Sequence, residues 1–183
     1  MLLYFYSMSV NLSSIQKVYF IGLGGIGVSA LARKYLSEGW QVSGSDRTAS
    51  KITTELEKLG VKIFFKQKAR NITADINLVI YTIAIPDNHP ELVRARQLGI
   101  RFLSYPEALG KLSRTLFTIA ISGTHGKTTT TAMVAEILVA ARRDPMVIVG
   151  SLLQRTINNH RSNFIAGKGP LVAEACEYRR SFL

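Results

Sequence analysis

Short runs of apolar residues alternate along this chain with longer segments in which apolar positions recur at helical spacing. The first run, at 18–21, leads through several glycines into a helical pattern at 28–36, and the segment at 41–45, which we predict as a second strand, stops at Asp46. A buried strand, a helix and a second strand in this order form a βαβ unit. The opening of the chain therefore predicts two parallel strands joined by a helix.

The alternation of strands and helices continues through residue 103. It predicts a helix at 51–59, strands at 61–64 and 77–81, a helix at 90–98 and a strand at 100–103. Strands that alternate with helices imply a parallel sheet with both faces covered. The expected fold class is therefore α/β, beginning with a Rossmann-like parallel sheet.

A second cycle of the same kind follows a pause at 104–112, where Pro106 and Gly110 surround a short helical stretch. It predicts a strand at 116–121, a glycine loop at 123–126, a helix at 127–140 and strands at 146–149 and 171–173. The apolar residues of the long helix that we expect to pack are Ala132, Ala135, Ile137 and Leu138. The chain then divides into a leader (1–16), a Rossmann-like domain (17–108) and the start of a second α/β domain (109–183).

Composition excludes several classes of protein. Of the 183 residues, 47% are apolar and 19% are charged, which is typical of a folded chain rather than a disordered one. Cys176 is the only cysteine, which excludes an intrachain disulfide and a cysteine-based metal cluster and favours a reducing, cytoplasmic setting. The apolar opening at 1–10 is too short to span a bilayer and lacks the features of a signal peptide, so no membrane partner is expected.

The net charge of +11 invites a nucleic-acid hypothesis, because clustered positive charge attracts polyphosphates. The basic residues are scattered, however, and are not interleaved with aromatic residues that could stack on bases. We therefore expect no nucleic-acid partner. The positive net charge is better explained by basic side chains on solvent-exposed surfaces and by binding of anionic nucleotides.

The first glycine loop fits the pattern G-x-G-x-x-G directly after a strand and at the start of a helix. Its glycines are Gly22, Gly24, Gly25 and Gly27. They permit a tight turn and close approach of a diphosphate to the helix N-terminus, and Asp46 stands where a carboxylate usually meets ribose hydroxyls. The alternative is a tight turn whose glycines bind nothing and an Asp46 that only caps a loop. The motif predicts a nucleotide but does not distinguish a dinucleotide from a UDP-sugar.

The second glycine loop has the character of a P-loop. The expected phosphate-binding residues are Gly123, Thr124, His125, Gly126, Lys127, Thr128 and Thr129. In such a loop backbone N–H groups surround the phosphates, Lys127 reaches the terminal phosphates and the Thr128 hydroxyl ligates Mg²⁺. The pattern here is the shorter G-x-x-G-K-T, and the alternative is a simple helix cap, which leaves the preceding buried strand and the threonine run unexplained.

Two motifs together resemble the Mur ligase family of amide-bond ligases. Residues 124–130 are similar to the family's ATP loop, and residues 20–32 are similar to the opening of its alanine-adding members. Residues 87–91 also resemble the family pattern. The ligase that recycles murein tripeptide is a less similar relative, because its first loop is not usually of the Gly-Gly-Ile-Gly type.

The resemblance implies that ATP phosphorylates the lactyl carboxylate of UDP-N-acetylmuramate and that the amine of L-alanine then attacks the acyl phosphate. It implies Lys127 and His125 as catalytic residues, although His125 could equally only shape the loop. Glu174 follows the apolar strand at 171–173, so its carboxylate should emerge at the sheet edge beside the P-loop. By resemblance, Glu174 and Thr128 hold Mg²⁺. His89 and His160 show no paired spacing, and surface or loop positions are expected for both.

Two other functions remain possible from the sequence. A nicotinamide-dependent oxidoreductase would use the first loop but leaves the second loop unexplained. A nucleotide-binding fragment without activity is the other alternative, because the chain is shorter than a complete three-domain ligase. If so, the second sheet lacks strands, and we expect aggregation or partial order beyond about residue 112.

Overall fold

The computed structural model describes residues 17–153 and 162–174. The predicted leader at 1–16, His160 and Cys176 lie outside these residues. In chain order the elements are β1 (Lys17–Ile21), α1 (Ile26–Ser37), β2 (Gln41–Ser45), α2 (Lys51–Lys58), β3 (Lys62–Phe64), a short 3-10 helix (Ala69–Asn71), β4 (Leu78–Tyr81), α3 (Pro90–Gln97), β5 (Arg101–Ser104), α4 (Tyr105–Thr115), β6 (Thr118–Ile121), α5 (Lys127–Ala140), β7 (Met146–Leu153), β8 (Ser162–Ile165) and β9 (Leu171–Glu174).

The first sheet has the strand order β3-β2-β1-β4-β5, and every pairing in it is parallel. Ile21 lies in register with both Ser45 and Tyr81, so the carboxyl ends of the three central strands are level. The chain order reverses between β1 and β4, and ligands of open parallel sheets bind at such a switch point. The predicted α/β class and parallel sheet are confirmed.

Side chains of β1 alternate between two apolar layers, as the pleat of a strand requires. Val18 and Phe20 pack with α1 and α4, whereas Tyr19 and Ile21 pack with α3. Both faces of the sheet are therefore covered by helices. This double covering explains why the central strands β1 and β4 are nearly continuous apolar runs.

The second sheet has the order β6-β9-β7-β8, with β6, β9 and β7 parallel and β8 antiparallel to β7. The strand β8 was not predicted, because Ser162 and Asn163 interrupt any apolar run there. Asn163 is nevertheless fully buried. The strand β7 is longer than predicted and continues past Gly150 to Leu153.

The stretch predicted as a pause is the helix α4. It begins with a capping box in which Ser104 N donates to Glu107 Oε2 at 2.7 Å and Glu107 N donates to Ser104 Oγ at 3.4 Å. Ala108, Leu109 and Leu112 pack in the same apolar cluster as α1. The proposed boundary between 17–108 and 109–183 falls inside this helix, and that division stays a prediction.

The helix α5 has the predicted bounds, but its packing face is narrower than expected. Ala135 is buried and Leu138 partly buried against β7 and β9, whereas Ile137 is 65% exposed. The prediction that Ile137 packs was wrong. Ile137 lies one turn after Met133 on the outward face of α5, and Met133 is also exposed. Phe117, before the edge strand β6, is 77% exposed as well.

The helix α1 lies between the two sheets. It packs on the first sheet and also contacts β7 and β8 of the second sheet. Asn163 Nδ2 donates to the carbonyl oxygen of Ile26 and, at 2.8 Å, to Ser29 Oγ. The first turn of α1, which follows the first glycine loop, is therefore held directly by the second sheet. Among the residues described, no helix is both long and apolar enough to cross a membrane.

Candidate nucleotide-binding sites

The first glycine loop joins β1 to α1 and is held by the end of β2. Gly22 N and Leu23 N donate to the carbonyl oxygen of Ser45 at 2.8 and 3.0 Å. Gly22 has φ of +82°, and a Cβ there would lie 2.4 Å from Thr82 Cγ2. Glycine is therefore required at this position by both conformation and space.

The other loop glycines have separate roles. Gly24 faces Asp46, since a Cβ at Gly24 would lie 2.9 Å from Asp46 Oδ2. Gly25 is the N-cap of α1. A Cβ at Gly27 would lie 2.4 Å from Tyr105 Cζ, so Gly27 lets α1 approach the start of α4. The four predicted glycines thus lie together, and the free N–H groups at 26–28 begin the helix.

Asp46 bonds to the loop. Its Oδ2 accepts a hydrogen bond from Gly24 N at 2.7 Å, and its Oδ1 accepts one from Arg47 N at 2.7 Å. This matches the alternative in which Asp46 caps a loop. Oδ1 also accepts a hydrogen bond from Thr48 N at 3.3 Å. Oδ2 keeps a second lone pair, so a ribose contact at Asp46 is compatible with this geometry and stays a prediction.

A cavity of about 370 Å³ opens at this edge of the first sheet. Its walls include Gly22, Gly25, Asp46, Gln67, Thr82 and His89. A larger cavity of about 590 Å³ lies at the opposite edge, near Lys17 and Gln41. Ligands of open parallel sheets bind at the carboxyl ends of the strands, so the smaller cavity is the candidate site.

His89 lies in a loop, which is one of the two positions expected for it, but it is only 8% exposed and forms part of the wall of this cavity. It precedes Pro90, the first residue of α3, and α3 starts at the carboxyl edge of the sheet because it follows β4. Burial lowers the pKa of His89, and the charge of Glu91 partly opposes that shift. Within 17–153 and 162–174, His89 Nδ1 has no hydrogen-bond partner.

Glu91 is fully buried beneath the cavity, and sequence reasoning missed it. It accepts hydrogen bonds from the Tyr19 hydroxyl at 2.8 Å, Ser45 Oγ at 2.5 Å and Asn71 Nδ2 at 2.7 Å. Burial, and next the Glu91 charge, raise the pKa of Tyr19. Tyr19 therefore remains a hydrogen-bond donor at physiological pH. The sequence signals were its place at the end of the family-like stretch 87–91 and in the first turn of a helix, where acidic residues are common.

The second glycine loop joins β6 to α5. Gly126 is the N-cap of α5 with φ of +75°, and Gly123 has φ of +143°. The ammonium group of Lys127 donates to the carbonyl oxygens of Gly123 and Thr124. The fold therefore holds Lys127 over its own loop, which also contains Thr124 and His125, while Thr128 and Thr129 follow in the first turn.

Glu174 ends β9 beside this loop, as predicted. It lies in register with Ile121, the last residue of β6. Glu174 Oε1 is buried and has no hydrogen-bond partner in the described part of the chain. A Cβ at Gly150 of β7 would lie 2.4 Å from Glu174 Oε2, so Gly150 makes room for the carboxylate. Sequence reasoning did not identify this role of Gly150.

These residues suit Mg²⁺ held jointly by protein and nucleotide. Within 17–153 and 162–174 there is no group of three or more His, Cys, Asp or Glu side chains that could hold a metal. Mg²⁺ commonly takes only one or two carboxylates and completes its shell with phosphate oxygens and water. Glu174, whose Oε1 accepts no hydrogen bond from the residues that the structure describes and whose strand ends level with β6, fits that arrangement.

Two glycine loops, each at the carboxyl edge of a mainly parallel sheet and at a helix N-terminus, form the arrangement that nucleotide-binding α/β proteins use. The model of the Mur ligase family, catalytic domain, matches residues 17–116. The chain belongs to the Mur ligase family.

Named relatives agree with this assignment. The chain is 45% identical over 178 residues to UDP-N-acetylmuramate--L-alanine ligase of Clostridium kluyveri, covering 96% of this chain and 38% of the relative. The crystal structure of UDP-N-acetylmuramate-alanine ligase from Thermotoga maritima is 38% identical with a TM-score of 0.79, over 86% of this chain and 36% of that one. A murein peptide ligase from Psychrobacter arcticus is 28% identical with a TM-score of 0.77, over 88% and 38%. The chain thus spans well under half the length of these relatives.

Proposed function

We propose that this chain carries the UDP-N-acetylmuramate site and the ATP-phosphate site of an ATP-dependent ligase that joins L-alanine to UDP-N-acetylmuramate in peptidoglycan precursor synthesis. The observation that carries the proposal is the presence of two glycine loops, each opening a helix at the carboxyl edge of its own sheet. The names of the relatives supply the substrates.

The reaction has two steps. A carboxylate oxygen of the lactyl group attacks the γ-phosphorus of ATP, ADP leaves and an acyl phosphate forms. The L-alanine nitrogen then attacks the acyl carbon, phosphate leaves and the amide bond forms. Both steps concentrate negative charge near the transferred phosphoryl group, so catalysis depends on positioning and charge neutralisation.

The second loop is the proposed ATP site. Its backbone N–H groups and the helix N-terminus bind the phosphates, and Lys127 already lies over the loop through its contacts with Gly123 and Thr124. Thr128 and Glu174 would hold Mg²⁺, which neutralises phosphate charge when bound. His125 is exposed at the tip of the loop and is proposed as a further phosphate contact.

The first loop is the proposed UDP-substrate site. The diphosphate lies at the N-terminus of α1 near Gly22, Gly24, Gly25 and Gly27, and the ribose lies near Asp46. The cavity of about 370 Å³ beside this loop provides the space for the nucleotide.

The proposal is tested by calorimetric titration of the chain with UDP-N-acetylmuramate, with NADH and with ATP plus Mg²⁺. Saturable binding of UDP-N-acetylmuramate and ATP, but not NADH, is expected. Lys127→Ala should abolish ATP binding and leave binding of the UDP-sugar intact, and Lys111→Ala, on α4, is the matched control. Binding of NADH in place of the UDP-sugar would favour the oxidoreductase alternative and overturn the proposal.

A further inference from the structure

A fully buried carboxylate below the nucleotide cavity connects four segments of the first domain. Glu91, in the first turn of α3, accepts hydrogen bonds from Tyr19 of β1, Ser45 of β2 and Asn71 of the 3-10 helix. Burying a charge is costly unless it is fully hydrogen-bonded, and an apolar residue would suffice for packing alone. The network therefore calls for a further explanation.

The chemistry of these groups gives the network a fixed direction. A carboxylate only accepts hydrogen bonds, and a serine hydroxyl has a single hydrogen to donate. Because Ser45 donates that hydrogen to Glu91, Ser45 Oγ can only accept from its other neighbours, which include Gln67. Gln67 accordingly presents its Nε2 to Ser45 Oγ, at 3.1 Å. The orientation of the Gln67 amide thus follows from the buried carboxylate two bonds away.

Gln67 also lines the cavity beside the first glycine loop. With its nitrogen turned to Ser45, its Oε1 is the acceptor left for a ligand, and no hydrogen bond engages that atom in the described part of the chain. If the diphosphate lies at the loop and the ribose at Asp46, the base continues beyond β2 toward β3. Gln67 follows β3 and lies on that side.

We propose that Glu91 is a positioning residue which, through Ser45, fixes the Gln67 amide so that the cavity selects uracil over cytosine. Uracil carries a hydrogen on N3 that Gln67 Oε1 can accept, whereas N3 of cytosine presents a lone pair and would repel that oxygen. A free glutamine could turn its amide to suit either base, but Gln67 cannot without breaking its bond to Ser45. The inference rests on the proposed function, because it places a uridine nucleotide in this cavity.

The test compares the affinities for UDP and CDP by calorimetric titration. The wild-type chain should bind UDP on the order of tenfold or more tightly than CDP, the value of one mismatched buried hydrogen bond. Glu91→Gln can donate to Ser45 Oγ and free the Gln67 amide to turn, and Ser45→Ala removes the connection. In both variants the preference for UDP should fall toward unity.

Glu107→Gln is the matched control, because Glu107 also bonds to a serine, Ser104, but lies in the capping box of α4 and not in the cavity wall. It should keep the wild-type preference. Thermal unfolding checks that each variant folds. If the variants at the buried positions do not fold, Gln67→Leu replaces them, because Gln67 is partly exposed. Gln67→Leu should also lose the preference for UDP.

The outcomes separate the inference from the proposed function. Equal loss of UDP and CDP affinity in a folded Ser45→Ala or Gln67→Leu variant, with the ratio unchanged, would show a merely structural role and overturn the inference. Equal binding of UDP and CDP by the wild-type chain would overturn the inference while leaving a nucleotide site. Binding of neither nucleotide would overturn both.

Discussion

Gly150→Ala should weaken Mg²⁺-dependent binding of ATP although Gly150 lies outside the second glycine loop. The new Cβ would lie 2.4 Å from Glu174 Oε2 and 3.2 Å from Glu174 Cδ, whereas ordinary contacts begin at 3.4 Å. The carboxylate must therefore move by about 1 Å (3.4 minus 2.4). Loss of the support that orients a metal ligand typically costs about 10- to 100-fold in metal affinity, so a weakening of that order is expected. The fold should lose little stability, because the end of a flexible side chain gives way.

The assay is ATP titration of wild type and variant with Mg²⁺ and with EDTA. Gly150→Ala and Glu174→Gln should both weaken binding in Mg²⁺ and leave the weaker binding in EDTA unchanged. Gly110→Ala is the control, because a Cβ at Gly110 meets nothing within 4 Å. If Gly150→Ala binds ATP in Mg²⁺ as tightly as wild type does, the assignment of Glu174 as the metal carboxylate is refuted.

Three further outcomes are expected from the same structure. Gly22→Ala should lower the melting temperature by several degrees, because a positive φ costs about 1–2 kcal/mol and the clash with Thr82 adds about 1–3 kcal/mol; an unchanged melting temperature would contradict this. Burial lowers the pKa of His89 below its ordinary 6.5, so the unfolded chain binds the proton first and stability falls as pH drops below about 6.5. His89→Gln should flatten that slope in thermal melts at pH 7.5, 6.0 and 5.0, and an unaltered slope would argue against it. Met133→Gln combined with Ile137→Gln should reduce aggregation measured by light scattering, because both apolar side chains are exposed. Equal scattering by the variant and the wild type would show that these two side chains do not cause the aggregation.

Most of the backbone could be predicted because its signals are local. The central strands β1 and β4 are covered on both faces, so each one is an apolar run. The helix α5 begins directly after Gly126, the glycine of the P-loop motif, and the structure confirms its predicted bounds. The two glycine loops could be predicted because the spacing of their glycines and their place between a strand and a helix are those that a phosphate-binding loop requires.

The failures share a different physical cause. Ser162 and Asn163 belong to a strand because β8 pairs with β7, and the buried Asn163 is accommodated by its hydrogen bonds to the first turn of α1, which is distant in sequence. His89 is buried because α3 begins at the crowded carboxyl edge of the sheet. Ile137 was expected to pack because it is apolar, but the orientation of α5 on its sheet decides which face is covered.

The network around Glu91 is the clearest case of information that a single sequence does not display. Its members come from β1, β2, the 3-10 helix and α3, so no spacing rule connects them. Each residue type alone has an ordinary explanation. Only the strand order, which places β1 and β2 side by side and α3 behind them, shows that they surround one carboxylate.

The most direct test of the account is amide NMR of the isotopically labelled chain during separate titrations with UDP-N-acetylmuramate and with ATP plus Mg²⁺. The UDP-sugar should shift the resonances of residues 22–28, Asp46 and Gln67, and ATP should shift those of residues 123–130. Shifts at the first loop with NADH and none with the UDP-sugar, or no shift at the second loop with ATP, would contradict the account.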